Sequence, residues 1–159
     1  MKIYLKTNQD SETFQLAKSL APYLKPNTNL LLDGGLAAGK TVFAKGIGAG
    51  LGVTDHIKSP SYTLLCMYEG NLPFFHFDAY NLNGLDDFYD LGFDEYLESN
   101  GVALIEWASV IQDGFPYPWI HIQIEKEEDF DHRNILIHTD DIEMENILKE
   151  WQQNENIGI

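Results

Sequence analysis

Apolar positions in the first part of the chain alternate between short continuous runs and the wider spacing of a helix. Residues 3 to 6 predict a short strand. Apolar residues then recur at helical spacing, and we expect a helix that is capped by Asp10 or Ser11 and ends before Pro26. Residues 30 to 32 form an apolar run that ends at Asp33, which is typical of a strand buried on both faces of a parallel sheet.

A glycine-rich segment follows this strand and leads into a second helical pattern. We predict a helix from Lys40 to Leu51, ended by Gly52. Glycine occupies positions 46, 48 and 50, which weakens the helical pattern, and close packing against a neighbouring element would explain these residues.

The second half of the chain predicts more strands than helices. Residues 62 to 68 and 74 to 78 form a predicted hairpin, and residues 119 to 125 and 133 to 139 form a second antiparallel pair. Residues 102 to 106 predict a further strand. Two short amphipathic helices are expected between residues 84 and 98, and a last helix over residues 141 to 152.

The glycine-rich segment carries the phosphate-binding pattern G-x-x-x-x-G-K-[ST] between a predicted strand and a predicted helix. Its glycines let backbone N–H groups converge on phosphate, Lys40 would neutralise the β- and γ-phosphates, and the Thr41 hydroxyl would bind Mg²⁺. The sequence therefore predicts binding of ATP and Mg²⁺. The expected nucleotide contacts in this segment are Gly34, Gly35, Leu36, Ala37, Ala38, Gly39, Lys40, Thr41 and Val42.

Two predicted strands end in an acid, at Asp78 and at Glu106. Parallel strands bring their carboxyl ends to one crevice, so either acid is a candidate to hold the metal or to orient water, and the spacing does not rank them. With Lys40 they are the predicted catalytic residues. We expect an α/β fold, a P-loop NTPase-like mixed sheet with helices on both faces and antiparallel hairpins, and one P-loop ATPase domain over residues 1–159.

Charge and composition narrow the function. The net charge of −15 disfavours stand-alone binding to nucleic acid or to a membrane surface. No apolar run approaches the roughly 20 residues needed to span a bilayer. Cys66 is the single cysteine, and we expect a cytoplasmic protein. The five histidines show no zinc-ligand spacing. The acidic, aromatic stretch near residues 86 to 98 is either a solvated face or a docking surface for a basic partner.

The order of motifs along most of the chain resembles the TsaE (YjeE) family, bacterial ATPases needed to make threonylcarbamoyladenosine (t6A) in tRNA. The resemblance rests on the phosphate loop and on four later segments, which are KSPSYTL at 58 to 64, HFDAY at 76 to 80, LGF at 91 to 93 and IEW at 105 to 107. Each segment is weak alone, but their joint order is specific. The loop departs from the family's usual pattern at Gly35 and Ala37.

The resemblance implies particular roles and partners. It places Thr41 and Glu106 on Mg²⁺ and Asp78 near the metal or the attacking water. It also implies nucleotide contacts from Ser11, Thr13, Trp107 and Arg133. The implied partners are the TsaB and TsaD proteins, with tRNA involved only indirectly. Residues 59 to 62 are then a loop that senses the γ-phosphate, or simply a rigid connection.

Two other functions remain open at this point. A small-molecule kinase would use the same phosphate loop. Such kinases clamp the transferred phosphoryl group with several cationic side chains, and this chain, with its single arginine, offers few candidates beyond Lys40 and Arg133. A non-catalytic acidic binding module would hold nucleotide only for structure. We favour a slow ATPase that a partner stimulates.

Overall fold

The computed structural model describes residues 1–35, 38–61, 63–128 and 131–158. The strands are β1 (Lys2–Thr7), β2 (Thr28–Gly34), β3 (Leu65–Tyr68), β4 (Phe74–Asp78), β5 (Val102–Glu106), β6 (Trp119–Lys126) and β7 (Arg133–His138). The α-helices are α1 (Asp10–Leu20), α2 (Lys40–Gly50), α3 (Leu85–Asp90) and α4 (Ile142–Glu155). Short 3₁₀ segments span Ala21–Tyr23, Phe93–Glu98 and Ala108–Val110. Within these described ranges, no helix is both long and apolar enough to cross a bilayer.

The strands form one mixed sheet in the order β1-β7-β6-β2-β5-β4-β3. Strands β6, β2, β5 and β4 run parallel at its centre. Strand β3 pairs antiparallel with β4 at one edge, and β7 and β1 continue antiparallel from β6 at the other. Both predicted antiparallel pairs and the predicted mixed sheet are confirmed. The parallel centre places the carboxyl ends of β2, β4 and β5 together.

Helices cover both faces of the sheet, as the sequence predicts. On one face, Leu30 of β2 packs in a core that includes Phe43 of α2 and Trp151 of α4, all fully buried. On the other face, Leu31 belongs to a second core with Phe88 of α3. Successive residues of β2 therefore point to opposite cores, and for this reason the strand is apolar without alternation.

Two predictions of element boundaries were wrong. Gln9, not Asp10 or Ser11, is the N-cap of α1, and no side-chain hydrogen bond caps that helix. Strand β3 begins at Leu65, three residues later than predicted, because its pairing with β4 starts there. The two predicted short helices are confirmed, the first as α3 and the second as the 3₁₀ segment Phe93–Glu98.

The glycines of α2 allow α1 to approach closely, as predicted. A Cβ atom at Gly46 would lie 2.5 Å from the Phe14 carbonyl oxygen, and one at Gly50 would lie 2.5 Å from the Lys18 carbonyl oxygen. Neither separation is possible for a real side chain. The two helices therefore pack closely, backbone against backbone.

Candidate nucleotide-binding site

A cleft of about 390 Å³ opens where the carboxyl ends of the central strands meet the start of α2. It is lined by Asp10, Ala38, Gly39, Lys40, Thr41, Val42, Ser59, Ser61, Asp78, Glu106, Trp107 and Arg133. These residues are far apart in the sequence. The fold therefore brings the predicted phosphate loop, both predicted acids, Trp107 and Arg133 to a single site.

The backbone of the loop requires glycine at two positions. A Cβ atom at Gly34 would lie 2.6 Å from the carbonyl oxygen of Ile124 in β6, so no side chain fits. Gly39, directly before α2, has φ of +107°, in the left-handed region that L-residues rarely adopt. The first N–H groups of any α-helix have no partner within the helix, and Gly39 has no side chain that could cap those of α2. These N–H groups lie at the cleft, where they could bind an anion.

Lys40 is held inside the cleft by the loop itself. Its Nζ donates hydrogen bonds to the carbonyl oxygens of Gly34 at 2.6 Å and Gly35 at 2.9 Å. The side chain is buried, and burial lowers its pKa, although nearby Glu106 and other carboxylates oppose the shift. The ammonium is therefore poorly hydrated, and an added anion such as a phosphate would stabilise its charge.

Arg133, the single arginine of the chain, lies at the edge of the loop. Its Nε donates to the carbonyl oxygen of Ala38 at 2.9 Å, and its Nη2 lies 3.9 Å from Oδ1 of Asp10. The side chain is buried and lines the cleft. Arg133 thus braces the phosphate loop from β7. This structural role coexists with the predicted nucleotide contact, which stays a prediction.

The two predicted acids are direct neighbours in the sheet. Asp78 of β4 pairs in parallel register with Glu106 of β5, and both side chains are buried and line the cleft. Oδ1 of Asp78 accepts a hydrogen bond from the N–H of Tyr80 at 2.9 Å. The sequence did not rank the two acids, and the structure shows that both reach the site.

Trp107 follows Glu106 in a left-handed conformation with φ of +56°. Such a conformation costs a non-glycine residue about 1–2 kcal/mol, so the surroundings must hold it in place. The ring lies over Lys40, with Nζ 4.2 Å from the ring centroid, and it packs on Tyr80 at 4.8 Å between centroids. Lys40 is therefore contacted both by the indole ring and by the loop carbonyls.

The predicted switch segment also reaches the cleft. Ser59 and Ser61 line it, and their hydroxyl oxygens lie 2.6 Å apart in a hydrogen bond. Tyr62, the last residue of that segment, lies outside the described residues. Whether this loop senses a phosphate stays a prediction, but its hydroxyls lie where the prediction needs them.

Some predicted contacts fall elsewhere or cannot be placed. The Thr13 hydroxyl is buried and bonded to the Thr7 hydroxyl at 2.6 Å, and neither Thr13 nor Ser11 lines the cleft. Asp10, which the sequence analysis did not select as a site residue, lines it instead. Leu36 and Ala37 lie outside the described residues. Nucleotide contacts from Ser11 and Thr13 stay predictions.

Two histidine–carboxylate pairs join neighbouring strands of the sheet, and neither was predicted from the sequence. His76 Nε2 lies 2.7 Å from Glu106 Oε2, and His121 Nε2 lies 2.7 Å from Asp33 Oδ2. The first pair has a sequence signal, because His76 stands two residues before Asp78 and so faces the same side of β4. The second pair joins strands whose order cannot be read from the sequence.

Asp33 ties the start of the phosphate loop to the segment after β5. Besides the His121 contact, its Oδ1 accepts a hydrogen bond from the N–H of Ser109 at 2.9 Å. Burial alone would raise the pKa of Asp33, but these two hydrogen bonds outweigh burial and hold the pKa below its ordinary value. The ionised carboxylate therefore belongs to the folded structure.

The oxygen atoms of the cleft fit a magnesium ion. Thr41 supplies a hydroxyl, and Asp78 and Glu106 supply carboxylates, which are the hard ligands that Mg²⁺ prefers. Within the described parts of the chain, no group of three or more His, Cys, Asp or Glu side chains is arranged to hold a metal by itself. Mg²⁺ bound with a nucleotide needs fewer protein ligands, because phosphate oxygens and water complete its shell.

Comparison with known proteins decides the family. The family model described as "Threonylcarbamoyl adenosine biosynthesis protein TsaE" matches residues 7–135 of this chain. The chain belongs to the TsaE family. It is 38% identical over 154 residues to the tRNA threonylcarbamoyladenosine biosynthesis protein TsaE of Bacillus subtilis, covering 96% of each chain. The corresponding protein of Treponema pallidum is 43% identical over 93 residues, covering 58% of this chain and 69% of its own.

A solved structure supports the same assignment. The crystal structure of Bacillus subtilis YdiB superimposes on this TsaE chain with a TM-score of 0.85 and 33% sequence identity, covering 98% of this chain and 97% of that one. The expected α/β fold and the resemblance to the TsaE family are both confirmed.

The structure describes the surroundings of Gly35, one of the two positions where this TsaE chain departs from the family's usual loop. Among the described residues, and apart from its chain neighbours, no atom lies within 4 Å of the position that a Cβ would take at Gly35. The site therefore has room for a side chain there, and glycine at this position is not required by packing. The other departure, Ala37, lies outside the described residues.

Proposed function

We propose that this TsaE chain is a magnesium-dependent ATPase that supports t6A formation in tRNA by acting on the TsaB–TsaD transferase. The observation that carries the proposal is the convergence of Lys40, Thr41, Asp78 and Glu106 on one cleft at the start of α2. A P-loop ATPase needs this set, which comprises a cation for the phosphates, a hydroxyl and a carboxylate for the metal, and an acid near the attacking water.

Each group has a role that its position allows. The N–H groups at the start of α2 and the Lys40 ammonium bind the β- and γ-phosphates, and the Lys40 bonds to the loop carbonyls exchange for phosphate contacts. Thr41 and Glu106 would hold Mg²⁺, which neutralises charge on the phosphates. Asp78 lies beside Glu106 and orients the water that attacks the γ-phosphate.

Turnover by the isolated chain is expected to be slow. Among the described residues that line the cleft, Lys40 and Arg133 are the cationic ones, and Arg133 already donates to the Ala38 carbonyl oxygen. Little further positive charge is therefore available to stabilise the transition state, and a partner that adds a cation would raise the rate. The same shortage argues against transfer of the phosphoryl group to a small molecule. Phosphorylation of a metabolite in a panel incubated with Mg-ATP would support the kinase alternative instead.

The test measures phosphate release and tRNA modification together. Purified chain is incubated with Mg-ATP, with and without the TsaB–TsaD heterodimer and tRNA. We expect release that the heterodimer stimulates, and repeated rounds of t6A formation only when the chain is present. Lys40→Ala should lower phosphate release by about 100-fold or more, because it removes the cation beside the transferred phosphoryl group.

Lys149→Ala provides the matched control. Lys149 is an exposed lysine of α4 that pairs with Glu145 at 2.9 Å and does not line the cleft. Its loss should leave phosphate release unchanged. The proposal fails if the wild-type chain neither binds Mg-ATP nor supports modification. Nucleotide binding without phosphate release would favour the non-catalytic binding module.

A further inference from the structure

The histidine beneath Glu106 is one of the most buried polar side chains of the protein. His76 is 0% exposed, and its Nε2 lies 2.7 Å from Oε2 of Glu106. It sits in β4 two residues before Asp78, so its side chain lies on the same face of the sheet as both acids. His76 itself does not line the cleft, and it contacts the site through Glu106.

The hydrogen bond defines which nitrogen carries the proton. A carboxylate that binds a metal is ionised and can only accept hydrogen bonds, so Nε2 of His76 is the donor when Glu106 serves as a metal ligand. Nδ1 is buried and has no hydrogen-bond partner among the described residues. An unpaired buried donor is rarer in proteins than an unpaired acceptor, so the tautomer with its proton on Nε2 fits this environment best. The ring therefore presents one donor, and that donor is directed at Glu106.

The packing around His76 leaves the ring little freedom. Phe74, on the same face of β4, stacks on it with ring centroids 6.0 Å apart and an interplanar angle of 16°. In the neighbouring strand, His76 pairs with Leu104, which is fully buried. The donor is therefore held in one direction by a close-packed core instead of by a mobile loop.

We propose that His76 is a positioning residue that fixes Oε2 of Glu106 and leaves Oε1 to face Mg²⁺ in the cleft. This inference rests on the proposed function, because it assumes that the cleft binds a magnesium–nucleotide complex. Among described residues, the side-chain hydrogen bond that Glu106 makes is the one through Oε2. A carboxylate held by one oxygen offers the other in a fixed direction, and outer hydrogen bonds of this kind typically contribute about 10- to 100-fold to metal affinity.

The second histidine–carboxylate pair supplies a control of the same chemistry. His121 and Asp33 are equally close, at 2.7 Å, and His121 is also buried. Neither residue lines the cleft. If loss of any buried histidine loosened the sheet enough to weaken metal binding, a change at His121 would have the same effect as a change at His76.

The experiment compares His76→Gln, His76→Asn and His121→Asn with the wild-type chain. Glutamine places an amide donor near the position of Nε2, whereas the shorter asparagine does not reach Glu106. Mn²⁺ replaces Mg²⁺, and its affinity for the chain saturated with a non-hydrolysable ATP analogue is measured by electron paramagnetic resonance. Nucleotide affinity without metal is measured by calorimetry, and folding by circular dichroism.

We expect His76→Asn to weaken Mn²⁺ binding by about 10- to 100-fold while nucleotide affinity without metal is retained. His76→Gln and His121→Asn should remain close to the wild-type Mn²⁺ affinity. If His76→Asn does not fold, His76→Leu, which also lacks a donor, takes its place: Mn²⁺ affinity lost in His76→Leu and retained in His76→Gln supports the role of the donor, and equal affinity in the two variants overturns it.

Three results would overturn the inference while leaving the ATPase proposal intact. They are unchanged Mn²⁺ affinity in folded His76→Asn, equal losses in His76→Asn and His76→Gln, and an equal loss in His121→Asn. A wild-type chain that binds no nucleotide would instead overturn the proposed function, and this inference with it. The two failures are therefore distinguishable.

Discussion

The two histidine–carboxylate pairs lie on opposite faces of the same sheet and are chemically alike. His76 and Glu106 lie on the face that packs against α2, while His121 and Asp33 lie on the face that carries Leu31. Both pairs have a nitrogen–oxygen distance of 2.7 Å. They differ in the surroundings of the carboxylate beyond the histidine. Glu106 lines the cleft, whereas Asp33 accepts a second hydrogen bond from the backbone of Ser109.

The same histidine–carboxylate hydrogen bond therefore has a different role in each pair, and the role depends on where the pair lies in the fold. In the first pair, the histidine orients an acid that remains accessible to ligands. In the second pair, the acid is used within the fold, where it joins the end of β2 to the 3₁₀ segment after β5. Trp107 follows Glu106 directly and stands two residues before Ser109, the residue that Asp33 holds. The pairs should therefore respond differently to loss of the carboxylate charge.

The largest expected effect is on catalysis. Glu106→Gln should lower phosphate release by about 100-fold or more, because a neutral amide is a poor ligand for Mg²⁺ and stabilises less charge. Asp33→Asn should retain most of the activity at a temperature where the variant is folded. The comparison is made by measuring turnover of both variants with saturating Mg-ATP. Equal losses would mean that both carboxylates act at the cleft.

The second prediction concerns stability and its dependence on pH. Asp33→Asn should lower the free energy of unfolding by about 1–3 kcal/mol at pH 7, because a buried hydrogen-bonded group loses its charged acceptor. The folded-state pKa of Asp33 lies below its ordinary value, so its stabilisation is present above the unfolded pKa of about 3.9 and is lost as pH falls through the folded pKa. The gap between wild type and variant should therefore close on acidification.

Urea unfolding at a series of pH values checks this second prediction. Glu150→Gln is a suitable control, because Glu150 is an exposed residue of α4 whose charge should contribute little to stability. A gap between wild type and Asp33→Asn that stays constant from neutral to acidic pH would contradict the assignment of an ionised Asp33.

The smallest expected effect concerns Trp107, the residue directly after Glu106. Trp107→Leu should lower stability by about 0.5–1 kcal/mol through loss of the contact with Lys40, whose Nζ lies 4.2 Å from the ring centroid. A double-mutant cycle with Lys40→Met isolates that contact from the general loss of buried area. Tyr80→Leu, which leaves the indole in place, serves as the control. A coupling energy near zero would show that the indole does not stabilise the ammonium.

Much of the site was predictable because its parts carry local signals. The phosphate loop shows its own pattern between a strand and a helix, and both Asp78 and Glu106 end apolar runs. What the sequence left open was the pairing of those strands. Register in the sheet made Asp78 and Glu106 adjacent, and register is set by contacts between distant segments.

The helix start at Gln9 and the late start of β3 have different origins. At the start of α1 the interactions are local, because the Glu12 carboxylate accepts a hydrogen bond from the Asn8 N–H at 2.7 Å, and Asp10 and Ser11 were predicted as caps only one or two residues too late. Strand β3 begins only where β4 offers partners. Its boundary is therefore set by a contact with another strand that the local pattern does not show.

The sequence by itself determined the order of strands and helices, the phosphate loop and the strand-end acids, because each depends on residues close together in the chain. Only the tertiary structure decided that His76 supports Glu106, that Asp33 joins His121 to Ser109, and that Arg133 braces Ala38. These contacts join residues between 30 and 95 positions apart. No local pattern encodes such contacts, since they exist only after the sheet has assembled and buried groups have found their hydrogen-bond partners.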